Sequence, residues 1–142
     1  MLKKILHKKP NSCFFAAIES TNAATRLKLN QELMLSKMSL HRLCDFNLGT
    51  AQMGKEIDIC GILKLQPRQI TFVLDQLIQM HINKEGILCT RKYGNHCFGI
   101  EKESEDLFCI MDPSNASYKK YSSQELISEF NDRLPLIIVF DV

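Results

Sequence analysis

A chain of 142 residues has the length of one domain and enough material for a real core. Apolar content of 45% with 24% charged residues is ordinary for a globular protein and excludes a disordered or fibrous chain. A net charge of +2, spread rather than striped, gives no reason to expect a nucleic-acid partner.

No apolar run approaches the ~18 residues needed to cross a bilayer, so no membrane span is expected. The start, MLKKILHKKP, has charge but no apolar core of a secretory signal. Lys3, Lys4, Lys8 and Lys9 read as a solvated arm. A cytoplasmic setting is expected, or delivery to a host cell by a route that needs no signal peptide. Cysteines stand at 13, 44, 60, 89, 97 and 109 without a CxxC pair, which points to reduced thiols rather than a disulfide scaffold. Cys89, Cys97 and Cys109 lie in strand-like runs and read as small buried hydrophobes. His41 and Cys44 could form half a metal site, but no second pair matches them. No metal or other cofactor is expected.

In chain order, residues 1–12 read as an irregular lead-in ending in Pro10-Asn11-Ser12. A first helix is expected from Cys13 to Leu27, capped by Asn11 or Ser12, with Phe14, Ala17, Ile18 and Ala24 on its apolar face. Asn30 is placed to cap a second helix that buries Leu33, Met34, Met38 and Leu43. Gly49, Gly54 and Gly61 break residues 45–66 into loops around a short helical turn near Lys55 to Cys60. Pro67 opens a third expected helix, with Ile70, Val73, Leu74, Leu77 and Ile78 at helical spacing up to Met80.

The period then changes to that of strands. Gly86 to Thr90 is an expected strand, followed by the loop Arg91-Lys92-Tyr93-Gly94-Asn95. His96 to Asp112 reads as a β-hairpin: an alternating run, a polar turn over Lys102 to Asp106, then Leu107 to Met111. Centred on Ser104, the turn pairs Ile100 with Phe108, Phe98 with Ile110 and His96 with Asp112. Asp112 to Asn115 is a turn, and Tyr118 to Tyr121 a short strand. Ser122-Ser123-Gln124-Glu125 has the capping-box pattern, with Tyr121 and Leu126 as a hydrophobic staple, and fixes a helix through Phe130. Leu134 to Phe140 reads as a central strand covered on both faces. Helices first and an antiparallel sheet second make the fold class α+β, in one domain.

The chemistry is concentrated at Cys13, His96 and Asp112. A thiol at a helix start is favoured as thiolate, because unpaired N–H groups and the helix dipole stabilise negative charge there. An imidazole beside it can hold that thiolate as an ion pair, and a carboxylate behind the ring fixes its tautomer and orientation. The Cys13 backbone N–H offers one oxyanion donor, and His7 or Asn11 a second.

These pieces resemble the papain-like cysteine peptidases, most closely the peptidase domain of bacteriocin-processing ABC exporters. The matching segments are Cys13 to Ala17, Asn95 to Ile100, Met111-Asp112-Pro113 and Ser122 to Ile127, and the likeness spans nearly the whole chain. It implies a papain-like fold and a Cys13–His96–Asp112 triad. The family has an acidic residue before the cysteine, a glycine after it and a glutamine six residues before; here stand Ser12, Phe14 and His7. The resemblance implies a stand-alone hydrolase that cleaves peptide or amide bonds of a protein or peptide substrate through a thioester. Two alternatives are carried with it: a glutamine deamidase or transglutaminase using the same triad, as in bacterial effectors, and a silent peptide-binding module. Specificity is expected in the loops 91–95 and 45–66.

Overall fold

The computed structural model describes residues 1–92 and 94–142; Tyr93, in the expected loop after the first central strand, lies outside them. The strands are β1 (Pro67–Ile70), β2 (Glu85–Thr90), β3 (His96–Ser104), β4 (Leu107–Asp112), β5 (Ser117–Tyr121) and β6 (Leu136–Phe140). They form one antiparallel sheet in the order β1-β6-β2-β3-β4-β5. The helices are α1 (Cys13–Glu19), α2 (Asn22–Arg26), α3 (Gln31–Leu40), α4 (Glu56–Ile62), α5 (Leu74–Gln79) and α6 (Ser123–Phe130).

Alternation along the strands divides the core between two faces of this sheet. One face carries Ile87, Cys89, Cys97, Ile138 and Phe140, packed against Phe14, Ile18, Met34, Met38 and Ile59 of the first four helices. The other carries Leu88, Phe98, Ile100, Ile137 and Val139, packed against Leu77 of α5 and Leu126 and Phe130 of α6. The unbroken apolar run of β6 follows from this: Ile137, Ile138 and Val139 are all fully buried, but on alternate faces. The fold is α+β as expected, with β1 and the helices α5 and α6 interleaved in the sheet half.

Several expected elements stand where the sequence put them. Asn30 caps α3 by accepting from the Leu33 N–H at 2.9 Å. The capping box at α6 is complete, with Ser122 and Glu125 bonding reciprocally, and Tyr121 and Leu126 share one core cluster. A short helix, α4, occupies the expected place in residues 45–66.

Others differ, for identifiable reasons. The first helix is two helices, because the hydroxyls of Ser20 and Thr21 bond back to the carbonyls of Ala17 (2.6 Å) and Ile18 (2.7 Å). Thr21 then caps α2. Neither expected cap holds α1: Ser12 sits at the N-cap without a side-chain capping bond, its hydroxyl bonding the buried Gln31 instead. Leu33 points outward while Met34, Leu35 and Met38 fill the core. The helix expected from Pro67 to Met80 is the edge strand β1 followed by the short α5. Proline is tolerated as the first residue of an edge strand, and the apolar spacing that imitated a helix leaves Val73 and Ile78 exposed.

The hairpin has a different register. Ile100 pairs with Ile110 and Lys102 with Phe108, with a bulge before Ser104 and a tight turn at Glu105-Asp106. The shift of two residues keeps every side chain on its expected face, but His96 is no longer directly opposite Asp112. Lys102, expected in the turn, lies inside β3 and is fully buried. Its ammonium donates to the carbonyls of Leu77 (3.0 Å) and Ile78 (2.6 Å) at the end of α5. A strand position filled by such a residue looks, in sequence, like a turn.

Candidate active site

Cys13 is the first residue of α1, and three features fix where that helix starts. Ser20 lies against β3 so closely that a Cβ at Gly99 would meet its Oγ at 2.4 Å. The buried Gln31 of α3 clamps the lead-in, accepting from the Lys8 N–H (3.0 Å) and donating to the Leu6 carbonyl (2.9 Å). Loop 45–51 closes on the same segment: Asn11 N–H donates to the Leu48 carbonyl at 2.8 Å. Gly49 packs there with a positive φ of 78°, where a Cβ would meet that of Ser12 at 2.6 Å.

His96 and Asp112 stand at the open end of the hairpin. Although displaced from direct opposition, they bond, His96 Nε2 to Asp112 Oδ1, at 2.8 Å. The same carboxylate oxygen accepts from the Ser114 N–H at 2.9 Å, an Asx turn that holds it in place. The Phe98 ring stands edge-on to the imidazole, with centroids 4.4 Å apart, and the Ser114 hydroxyl lies 3.4 Å from Nε2. With Nε2 bonded to Asp112, Nδ1 is the ring nitrogen left for an interaction with Cys13, whose thiol is close enough to raise the pKa of the ring.

The electrostatics follow from these contacts. The Cys13 thiol is pulled down to about 4, chiefly by a hydrogen bond from Cys97 and next by the His96 ring, against the opposing cost of burial. The His96 imidazole is raised, first by its bond to Cys13 and then by Asp112, again against burial. Both shifts favour the thiolate–imidazolium form of the pair. Side-chain exposures of 31% for His96 and 32% for Asp112 leave room for a ligand at this end.

Cys13 opens into a cavity of about 320 Å³ whose walls include Asn11, Phe14, Thr50, Glu56, Arg91 and Asn95. Both loops expected to carry specificity contribute. They are tied together by an ion pair between the buried Glu56 of α4 and Arg91 after β2. Of the two oxyanion candidates, Asn11 lines this cavity and His7 does not. The His7 ring donates from Nδ1 to the Lys9 carbonyl at 2.6 Å, and its backbone N–H bonds the Pro113 carbonyl at 3.0 Å.

Cys97 and the Glu56–Arg91 pair are the contributors that sequence reasoning missed. A signal for Cys97 existed: in a strand, the residue after His96 must point to the opposite face, the one α1 packs on. For Glu56 and Arg91, 35 residues apart on a short helix and in a loop, no sequence pattern exists.

N-terminal helices on a C-terminal antiparallel sheet give this chain a papain-like fold. The solved peptidase domain of Streptococcus ComA, a bifunctional ABC transporter involved in a quorum-sensing pathway, has this fold. It superposes with a TM-score of 0.63 at 17% identity, over 99% of this chain and 98% of that one. No protein-family model matches the sequence, and no curated protein matches it.

Proposed function

We propose that this chain is a cysteine peptidase acting on protein or peptide substrates, with Cys13 as nucleophile, His96 as acid–base and Asp112 as the group that orients the ring. The observation that carries this reading is the His96–Asp112 hydrogen bond, with Cys13 near enough to the same ring for each to shift the other's pKa, at a half-exposed end of a papain-like fold. The Cys13 thiolate attacks the scissile carbonyl, and the oxyanion is received by the Cys13 backbone N–H and the Asn11 side-chain amide. His96 passes its proton to the departing amine, leaving a thioester on Cys13. Neutral His96 then takes a proton from water, whose hydroxide attacks the thioester and releases the carboxylic acid. Asn11 is preferred to His7 because it shares the cavity with the sulfur.

Alkylation by iodoacetamide at about pH 5.5 tests the central claim, since ordinary thiols are protonated there. Cys13 is expected to react first among the six cysteines. Wild type is expected to cleave members of a peptide library that Cys13→Ala, with an unchanged circular dichroism spectrum, leaves intact. Indiscriminate labelling, or cleavage that survives in Cys13→Ala, would overturn the assignment.

A further inference from the structure

The thiol that steadies Cys13 has a second thiol behind it. Cys97 lines the same cavity as Cys13, close enough to pull that thiol's pKa down, and on its other side its thiol donates to Cys89 Sγ at 2.9 Å. Cys89 and Cys97 are direct cross-strand partners of β2 and β3. Such partners have Cα atoms ~4.5–5.5 Å apart, inside the ~4.4–6.8 Å span that a disulfide accepts. All three are free, and while Cys89 and Cys97 are buried, Cys13 is half-exposed at the cavity. Peptide hydrolysis uses only Cys13 covalently, so the line of three sulfurs has no role in it beyond the contact from Cys97.

We propose that Cys13, Cys97 and Cys89 form a thiol relay that reduces a hydroperoxide and returns Cys13 to its thiolate, leaving a Cys89–Cys97 disulfide. In the first step the Cys13 thiolate attacks the outer peroxide oxygen. The O–O bond breaks, the alkoxide takes a proton from solvent to leave as alcohol (water, for hydrogen peroxide), and Cys13 becomes a sulfenic acid. In the second, the Cys97 sulfur attacks the Cys13 sulfur. The S–O bond breaks, and the departing hydroxide leaves as water with the Cys97 proton. In the third, the Cys89 sulfur attacks Cys97, the Cys13–Cys97 bond breaks, and Cys89 releases its proton. Two thiols and one hydroperoxide thus become one disulfide, one alcohol and one water.

The direction of the last step has a physical cause. In thiol–disulfide exchange the sulfur with the lower pKa leaves faster, and the Cys13 thiol is held low by its surroundings. The benefit is equally specific. An accessible thiolate is the form most readily carried past sulfenic acid to sulfinic acid, which is not recovered by thiols. Contact with Cys97 offers a faster exit at the first oxidation level.

Non-reducing peptide mapping after a small excess of hydrogen peroxide tests this on the wild-type chain, with remaining thiols blocked by a maleimide. A Cys13–Cys97 link is expected first, replaced by a Cys89–Cys97 link, with a net mass loss of two hydrogens and Cys13 again open to the maleimide. Cys89→Ala should stop at the Cys13–Cys97 link. Cys97→Ser should instead accumulate Cys13 with added oxygens, and circular dichroism on both variants separates this from misfolding. Should wild-type Cys13 gain two oxygens with no link to Cys97, or should the peroxide join a different pair, the relay does not exist.

Discussion

The two ends of the β3–β4 hairpin bury ionisable groups to opposite effect. At the closed end Lys102 is 1% exposed and its ammonium is bonded to two helix-terminal carbonyls, with the Phe108 ring 5.7 Å away. Its partners are fixed backbone dipoles with nowhere to move a proton, so the charge serves to dock α5 on the sheet. At the open end His96 is held by one carboxylate and one thiolate, and remains about a third exposed. There each partner can change protonation state and a ligand can reach the ring. Burial alone does not make a reactive site; burial among partners that can themselves gain or lose a proton does.

The comparison is broken most sharply at His96. His96→Ala is expected to lower kcat/KM by on the order of 10⁴-fold, the upper range for loss of a general acid–base. The pH profile should change as well. In the wild type the rate rises through about pH 4 as Cys13 ionises and falls above the ordinary histidine range, because the ring is raised and must be protonated to serve as acid. In His96→Ala the alkaline fall should vanish and the acid limb should move up, with Cys97 alone holding the thiolate. An unchanged profile would mean that the ring is not paired to the sulfur.

Asn11 sharpens the picture of the open end. If its amide receives the oxyanion, Asn11→Ala should slow single-turnover acylation by ~10²–10³, while His7→Ala changes it less than about threefold. The structure bonds the His7 ring to the lead-in itself, so its loss is felt only through that segment. Comparable losses in both variants would place His7 at the oxyanion after all.

Much of the open end was legible in the sequence because strand alternation survives errors of register. The turn of the hairpin was misplaced, yet His96, Phe98 and Ile100 kept their shared face because the shift was even-numbered. The caps at Asn30 and Ser122 were legible because capping is local chemistry. The break at Ser20-Thr21 was not, since the same hydroxyls sit silently on many helix surfaces and only the close approach to Gly99 forces the choice. β1 was hidden because Pro67 and the spacing of Ile70 and Leu77 suit a helix equally well; the unpaired edge of β6 decides it. The Glu56–Arg91 tie and the role of Lys102 depend on elements brought together by the fold, and no local pattern announces such partners.

The closed end gives the smallest effect and the control. Lys102→Met keeps most of the buried stem volume and removes only the donors. The Leu77 and Ile78 carbonyls at the end of α5 then lose the ammonium, Leu77 keeping the Met80 N–H at 3.3 Å, a cost of ~1–3 kcal/mol that is partly offset because an ammonium need no longer be desolvated. With a melting shift of roughly 2–4 °C per kcal/mol for a domain near this size, thermal denaturation should show a clear drop. The rate per folded molecule should not change, since α5 packs on the sheet face opposite the one where α1 sets Cys13. A stability equal to wild type would mean that desolvating the ammonium cancels its bonds, and that Lys102 docks nothing. A rate loss exceeding about tenfold at full folding would mean that the two ends of the hairpin are coupled through β3, and that the contrast between them is one of degree.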